Sequence, residues 1–376
     1  MHVGCIKAVV PILDARDPKA PGKVDRPRLM HPSGINMRRV AWIGECRQPG
    51  VAWHRQASLG TARRRVAPPW RCKGFDRLGT PPYAPPVSDT SPATPRWASR
   101  PVPPEPRSIV ELIRTGVLDA ELAATLWLLV EGRVPLIVAG EAQGAGKSTL
   151  LGALLAFLPG GVRLVELAGQ DEDFAWLPQA SELGWPGKPR AMKGAAPFRP
   201  DDTVLLANEL SDHVPAYTWG EAARIAVRAA SIGYGLAATI HGDSLDDVFE
   251  ALRRPPNGLV DDELSHLGVV LVVRRVDGER RRVVAAHYVR PVARDGHGHL
   301  QRLGPAVLAT WDADTDTFEQ FGWGVTPELA LRVGRKAGDF EIESDRRQAH
   351  LEHLVQAGIT APDDVRRAIS GYQPAR

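Results

Sequence analysis

Cysteine is scarce in this chain of 376 residues: Cys5, Cys46 and Cys72 are the only three, and all come early. An odd number without ligand spacing excludes a disulfide framework and a cysteine-based metal site. The absence of cysteine from the remaining three hundred or so residues fits a reducing compartment. Long apolar runs are lacking too. None approaches the ~20 residues that a transmembrane helix needs. The opening MHVGCIKAVVPIL is too short and too broken by Pro11 to read as a signal peptide. The chain is therefore expected to be cytoplasmic.

Net charge is small, +3, but it hides two opposed regions. Residues 1–107 carry 19 Lys and Arg against 7 Asp and Glu, while the remainder carries 28 against 37. The first region also holds 18 of the 33 prolines and no sustained helical or alternating apolar pattern, so it is expected to be a disordered Pro/Arg-rich tail. Arg63, Arg64 and Arg65 beside Trp70 and Arg71 would suit nucleic acid or anionic lipid. The plainer reading is a basic tail without a specific role, or a start codon placed too far upstream; nucleic acid is not expected as a partner.

What the chain does have is a glycine-rich loop in the right place. Residues 140–149 read GEAQGAGKST; they follow the apolar run VPLIVA and precede the helix-forming TLLGALLAFL. Strand, loop and helix in that order let backbone N–H groups of Gln143, Gly144, Ala145 and Gly146 close around phosphate oxygens, at the positive end of a helix. Lys147 would reach the β- and γ-phosphates, Ser148 would ligate Mg²⁺, and Thr149 completes the loop. The match to the phosphate-loop pattern has one departure. The pattern asks for glycine at position 141, which is Glu141 here, and Gly140 stands one place early. The implied cofactors are ATP and Mg²⁺.

Structure is expected from Ser108, where Ser108 and Glu111 form a capping box. A second amphipathic helix follows over residues 119–130, and the phosphate-loop helix should run from Lys147 to Leu158. Residues 162–167 (VRLVEL) read as a short buried strand ending at Glu166. Residues 203–207 (TVLLA) read as a strand leading to Glu209, and residues 235–240 as one ending at His241. Alternating strands and helices imply an α/β fold with a parallel sheet flanked by helices, whose C-terminal strand ends gather Glu166, Glu209 and His241 beside the loop. From Leu267 the pattern turns to longer β segments joined at Asp277-Gly278, a hairpin signal. DGHGH (residues 295–299) reads as a hairpin turn rather than a metal site, and the last fifty or so residues as helical.

Several segments, in order, resemble the ATPase superfamily of type II and type IV secretion, type IV pili and archaella, nearest to its archaeal-type and tight-adherence branch. They are SIVELIRTGVLDAELAATLWLLVEGRVPLIVAG, KGAAPFRPDDTVLLANEL, GLAATIHGDSLDDVFEALRRPP, AVLATWDADTDTF and LEHLVQAGITAPDDVRRAI. The resemblance implies a P-loop NTPase (RecA-like) domain over residues 108–325, a C-terminal β segment within it, and a helical segment over 326–376. It also implies an ATP-hydrolysing motor subunit, assembled as a homo-oligomer, a hexamer by analogy. Such a subunit would sit at the inner face of the cell membrane beside a platform protein. By that resemblance Lys147 and Ser148 are phosphate and Mg²⁺ ligands, and Glu166 is an acidic-box carboxylate. Glu209 becomes the Walker B glutamate acting on the metal through water, and His241 a sensor of the γ-phosphate. Each has a plainer reading as well. Glu209 would serve as a carboxylate at a helix N-terminus, Glu166 as a solvent-facing strand end with Asp171 or Asp173 in its place, and His241 as a structural histidine. Glu141 and Leu167 replace residues typical of active members, and no nucleotide-clamping domain is recognisable in residues 1–107. Those departures motivate the alternative reading of a catalytically impaired, nucleotide-binding scaffold. Arg224, Arg228, Arg253 and Arg254 are candidates for arginines acting across a subunit boundary.

Overall fold

The computed structural model describes residues 105–141, 143–187, 198–294 and 296–374. The expected tail, apart from residues 105–107, lies outside the described residues, as does part of the segment leading to Glu209. Helix α1 (Ile109–Arg114) starts at Ser108, whose hydroxyl accepts the Glu111 N–H and donates to the Thr360 carbonyl, 252 residues away. Helix α2 (Ala120–Glu131) is capped by Asp119, which accepts from Leu122 N. The same carboxylate takes the Gln320 amide, so one side chain caps a helix and anchors a distant strand end.

Strand β1 (Leu136–Ala139) leads into the glycine-rich loop and α3 (Lys147–Leu154). The regular helix is shorter than expected, closing in a 3₁₀ turn over Leu155–Phe157 ahead of Pro159. Then come β2 (Arg163–Glu166), β3 (Thr203–Leu210), α4 (Glu221–Ser231), β4 (Gly235–Ile240), α5 (Leu245–Arg253) and α6 (Asp261–Leu264). After them lie β5 (Val269–Val276), β6 (Arg280–Tyr288), β7 (Ala293–Arg294), β8 (Leu300–Gln301), β9 (Ala306–Asp312) and β10 (Thr317–Gln320). Helices α7 (Thr326–Arg332), α8 (Ala337–Gln356) and α9 (Pro362–Ser370) complete the chain.

Among the described residues, eight strands form one sheet in the order β10-β9-β6-β5-β1-β4-β3-β2. The run from β5 to β2 is parallel; β6, β9 and β10 extend it antiparallel. The fold is thus mixed α/β, a sheet flanked by helices, with the C-terminal β segment continuing the sheet. Strand β1 shows why both faces are covered. Leu136 and Val138 point into an apolar cluster with α1, α2, α3 and the C-terminal helices, while Ile137 and Ala139 point into another with α4, α5 and α6. All four are buried, at roughly 1.5–3 kcal/mol per large aliphatic side chain.

Strand β2 is not buried: among the described residues it is the sheet edge, pairs with β3 alone, and is mostly exposed. The Asp277-Gly278 turn is the tight hairpin expected, both residues having positive φ (47° and 78°), and it joins β5 to β6. Residues 296–299 of DGHGH lie at the turn between β7 and β8, and Asp295 lies outside the described residues. The C-terminal helices share the α1 and α2 cluster through Phe340, Leu351, Leu354, Val365 and Ile369, so they belong to the same core as the phosphate-loop helix.

Candidate functional site

The loop between β1 and α3 has two glycines with positive φ, Gly144 (79°) and Gly146 (100°). Gly146 stands at the N-cap of α3 without a side-chain cap, which leaves the first-turn N–H groups open to an outside acceptor. Gly140 has a different reason to be glycine: a Cβ there would lie 2.7 Å from the Val273 carbonyl of β5. The close approach of β5 thus explains why the loop's first glycine stands one place early. Glu141 is exposed.

Lys147 and Glu209 are each only 8% exposed, so ammonium and carboxylate share a low-dielectric setting. Lys147 Nζ donates to the Gly140 carbonyl at 3.0 Å and lies 4.0 Å from Glu209 Oε1. Burial pushes the lysine below its usual pKa, against the pull of the Glu209 and Glu141 carboxylates. Glu209 reaches this place because β3 slips register against β4 between Ala207 and Leu210, a bulge that re-aims the strand end. Thr239 on β4 fixes the bulge by donating to the Asn208 carbonyl, and Thr218 N donates to the Glu209 carbonyl.

His241 follows β4 directly. Its Nδ1 faces the Glu141 carbonyl at 3.2 Å and its Nε2 approaches Glu209 Oε1 to 2.6 Å. Apart from that contact, Oε1 is buried without a hydrogen-bond partner among the described residues. One carboxylate oxygen therefore sits between a lysine and a histidine with acceptor capacity to spare. The edge of the His213 ring meets the His241 ring at 5.1 Å. Tyr217 stands nearby, its hydroxyl held above the usual pKa by burial and by Glu209.

These groups line a cleft of about 1200 Å³ together with Gln143 to Leu150, His213, Tyr217 and the arginine-rich β5–β6 hairpin. Such a volume accommodates a nucleotide. Its lining carries five basic side chains (Arg107, Lys147, Arg275, Arg280 and Arg281) against three acidic ones (Glu105, Glu209 and Glu279). That excess favours a multiply charged anion.

The structure brings together Gln143, Gly144, Ala145, Gly146, Lys147, Ser148, Thr149, Glu209 and His241. It does not bring Glu166 with them. Strand β2 is three positions from β1 in the sheet, roughly 14 Å away at ordinary strand spacing. There the Asn208 amide donates to the Glu166 carboxylate at 2.5 Å. Asp171 and Asp173 do not line the cleft either; Asp173 accepts from Ala175 N in a local turn. The four arginines singled out by sequence are engaged within the chain. Arg224 donates to the carbonyls of Pro256 and Asn257, Arg228 pairs with Glu263, Arg253 with Asp261, and Arg254 with Glu250. Sequence reasoning missed His213, Tyr217, Arg275 and Arg281. The run of arginines flanking Asp277-Gly278 was the available signal for the last two.

No protein-family model matches the chain. An uncharacterized protein of the archaeon Methanocaldococcus jannaschii is 27% identical over 225 residues, which is 56% of this chain and 78% of that protein. A second uncharacterized protein from the same organism is 22% identical over 289 residues, 72% of this chain. The chain spans only 50% of that second relative's length. Among solved structures, the Legionella pneumophila ATPase DotB matches 61% of this chain and 55% of its own, with 14% identity and a TM-score of 0.25. At that level the likeness carries nothing further, and the reading of the site rests on its own geometry. No helix among the described residues is long and apolar enough to cross a membrane.

Proposed function

We propose that the chain binds Mg²⁺-ATP at the β1–α3 loop and hydrolyses it, as a subunit of a ring-forming motor of the secretion and type IV pilus kind. The observation that carries the nucleotide reading is the convergence of three strand ends. Strand β1 delivers the glycine loop with Lys147, β3 delivers Glu209 and β4 delivers His241, all into one cationic cleft. The order of family-like segments supports the motor, the hexameric ring and the membrane platform partner.

The residues suit the metal. A hydroxyl at Ser148 and a buried carboxylate oxygen with spare acceptor capacity at Glu209 are hard oxygen donors, which Mg²⁺ takes together with water. When bound, Mg²⁺ supplies charge neutralisation at the phosphate oxygens. Lys147 exchanges its Gly140 carbonyl for phosphate oxygens and balances their charge from a buried position. Glu209 orients water for in-line attack and accepts hydrogen bonds from it. His241, held between Glu209 and the loop carbonyl of Glu141, couples a change at the phosphates to both strand ends. Glu166, remote from this cleft, has no part in these steps.

Phosphate release from ATP with Mg²⁺, at a protein concentration that permits ring assembly, tests the reading. Turnover is expected in the wild type and lost in Lys147→Ala and Glu209→Gln. Binding without turnover in the wild type, with a platform protein supplied, would favour the scaffold reading that Glu141 and Leu167 motivate.

A further inference from the structure

The β5–β6 hairpin lies against the phosphate loop and carries five arginines: Arg274, Arg275, Arg280, Arg281 and Arg282. Three are neutralised within the chain. Arg274 pairs with Asp243, Arg280 with Asp277 and Asp316, and Arg282 with Asp316. Arg275 and Arg281 differ. Neither has a carboxylate partner among the described residues, and both line the cleft. They are also cross-strand partners in the β5–β6 ladder, directly opposite one another.

Like charges directly opposite in an antiparallel pair are destabilising. The chain retains such a pair where three neighbouring arginines have each been given an acid. Arg281 further reaches the loop itself: its Nε donates to the Gly144 carbonyl at 3.1 Å. A Cβ on Gly146 would come within 2.9 Å of Arg281 Cδ, so the arginine stem packs directly over the loop. A guanidinium held there faces the same volume as the loop's N–H groups, from the opposite wall.

We propose that Arg275 and Arg281 bind the triphosphate of the nucleotide from the hairpin side, so that the chain supplies its own charge-neutralising arginines in cis. The inference rests on the nucleotide reading above and names the groups that complete its anion site. Bound phosphate removes the repulsion between the two guanidinium groups, and Arg281 trades a carbonyl acceptor for a charged one. Charge-assisted contacts are about twice as strong as neutral ones. Arginine presents its donors as a planar fork suited to phosphate oxygens.

Calorimetric titration of Mg²⁺-ATP, and separately of inorganic tripolyphosphate, tests this with wild type, Arg275→Ala, Arg281→Ala and Arg281→Lys. Each alanine variant is expected to bind both ligands ~10-fold more weakly, the size of one lost charge-assisted contact. Arg281→Lys should recover part of the loss, because charge is kept and the fork is not. Without ligand, Arg275→Ala should melt no lower than wild type, since the repulsion is relieved. Unchanged affinity in both alanine variants, beside a wild type that binds, would overturn the inference and leave the nucleotide reading standing. A weaker affinity of Arg275→Ala matched by a lower ligand-free melting temperature would also overturn it, as that arginine would then serve the fold. A wild type that binds neither ligand would overturn the nucleotide reading itself.

Discussion

At the scale of single residues, the site is one buried carboxylate held between a lysine and a histidine. Removing Lys147 leaves Glu209 in contact with His241 and takes away the group that meets the phosphates. Lys147→Ala should therefore lose nucleotide affinity by tenfold or more by titration. Glu209→Gln keeps the shape but not the charge, so affinity should hold while turnover falls about a hundredfold or more. Lys147 also sets a pH dependence. Its folded pKa lies below the unfolded value of 10.5, so between the two the unfolded chain binds more protons and stability rises with pH. Below the folded pKa the burial cost is present in full. Lys147→Met should accordingly remove that alkaline rise in melting temperature, measured without nucleotide. Much of this constellation was legible in the sequence, because Lys147, Glu209 and His241 each follow an apolar run that reads as a strand. Arg281 was not, since its contact with Gly144 spans 137 residues and depends on a hairpin folding back. Nor did any local pattern say that Glu166 lies on an edge strand, because strand order is a non-local property.

At the scale of elements, two polar clamps decide how the antiparallel extension and the C-terminal helices are held. Asp316, at the turn between β9 and β10, accepts from Arg282, Arg280 and Trp311. The Arg282 contact is the main reason its carboxyl sits far below the usual value of 3.8. A depressed acid stabilises above its unfolded pKa and loses that contribution as pH falls toward the folded one. Asp316→Asn, which tolerates the same positive φ (54°), should raise amide exchange in β9 and β10 at neutral pH, with the difference from wild type shrinking in strong acid. On the other face, Arg347 is 1% exposed, bonded to Glu343 and Glu131 and lying over the rings of Trp127 and Tyr372. Arg347→Ala leaves two acids without their cation at the α2–α8 seam. It should cost about 3–5 kcal/mol in denaturant unfolding. Sequence periodicity placed α2 and the helical end but could not show this arginine as buried, since the helical pattern marks a face for apolar residues alone.

At the scale of the molecule, the phosphate loop sits where the two apolar clusters meet at the C-terminal edge of the parallel strands. Its floor is built on buried apolar side chains, and its roof is the exposed β5–β6 hairpin. If the proposed ring forms, specific ATPase activity should rise with protein concentration and then level off, because assembly follows mass action. A constant specific activity over the whole range would separate turnover from assembly. The α/β class, the parallel strands around the loop and the Asp277-Gly278 hairpin agree with what alternating apolar runs and turn residues predict. The joining of the β segment to the main sheet had no sequence signal, since pairing between β5 and β1 leaves no periodicity of its own. The most direct test of the central claim is equilibrium titration of ATP with and without Mg²⁺ into wild type and Lys147→Ala. Saturable, Mg²⁺-strengthened binding that is lost in the variant is the predicted result. No binding by the wild type, or equal binding by both proteins, would contradict the assignment of the β1–α3 loop as a triphosphate site.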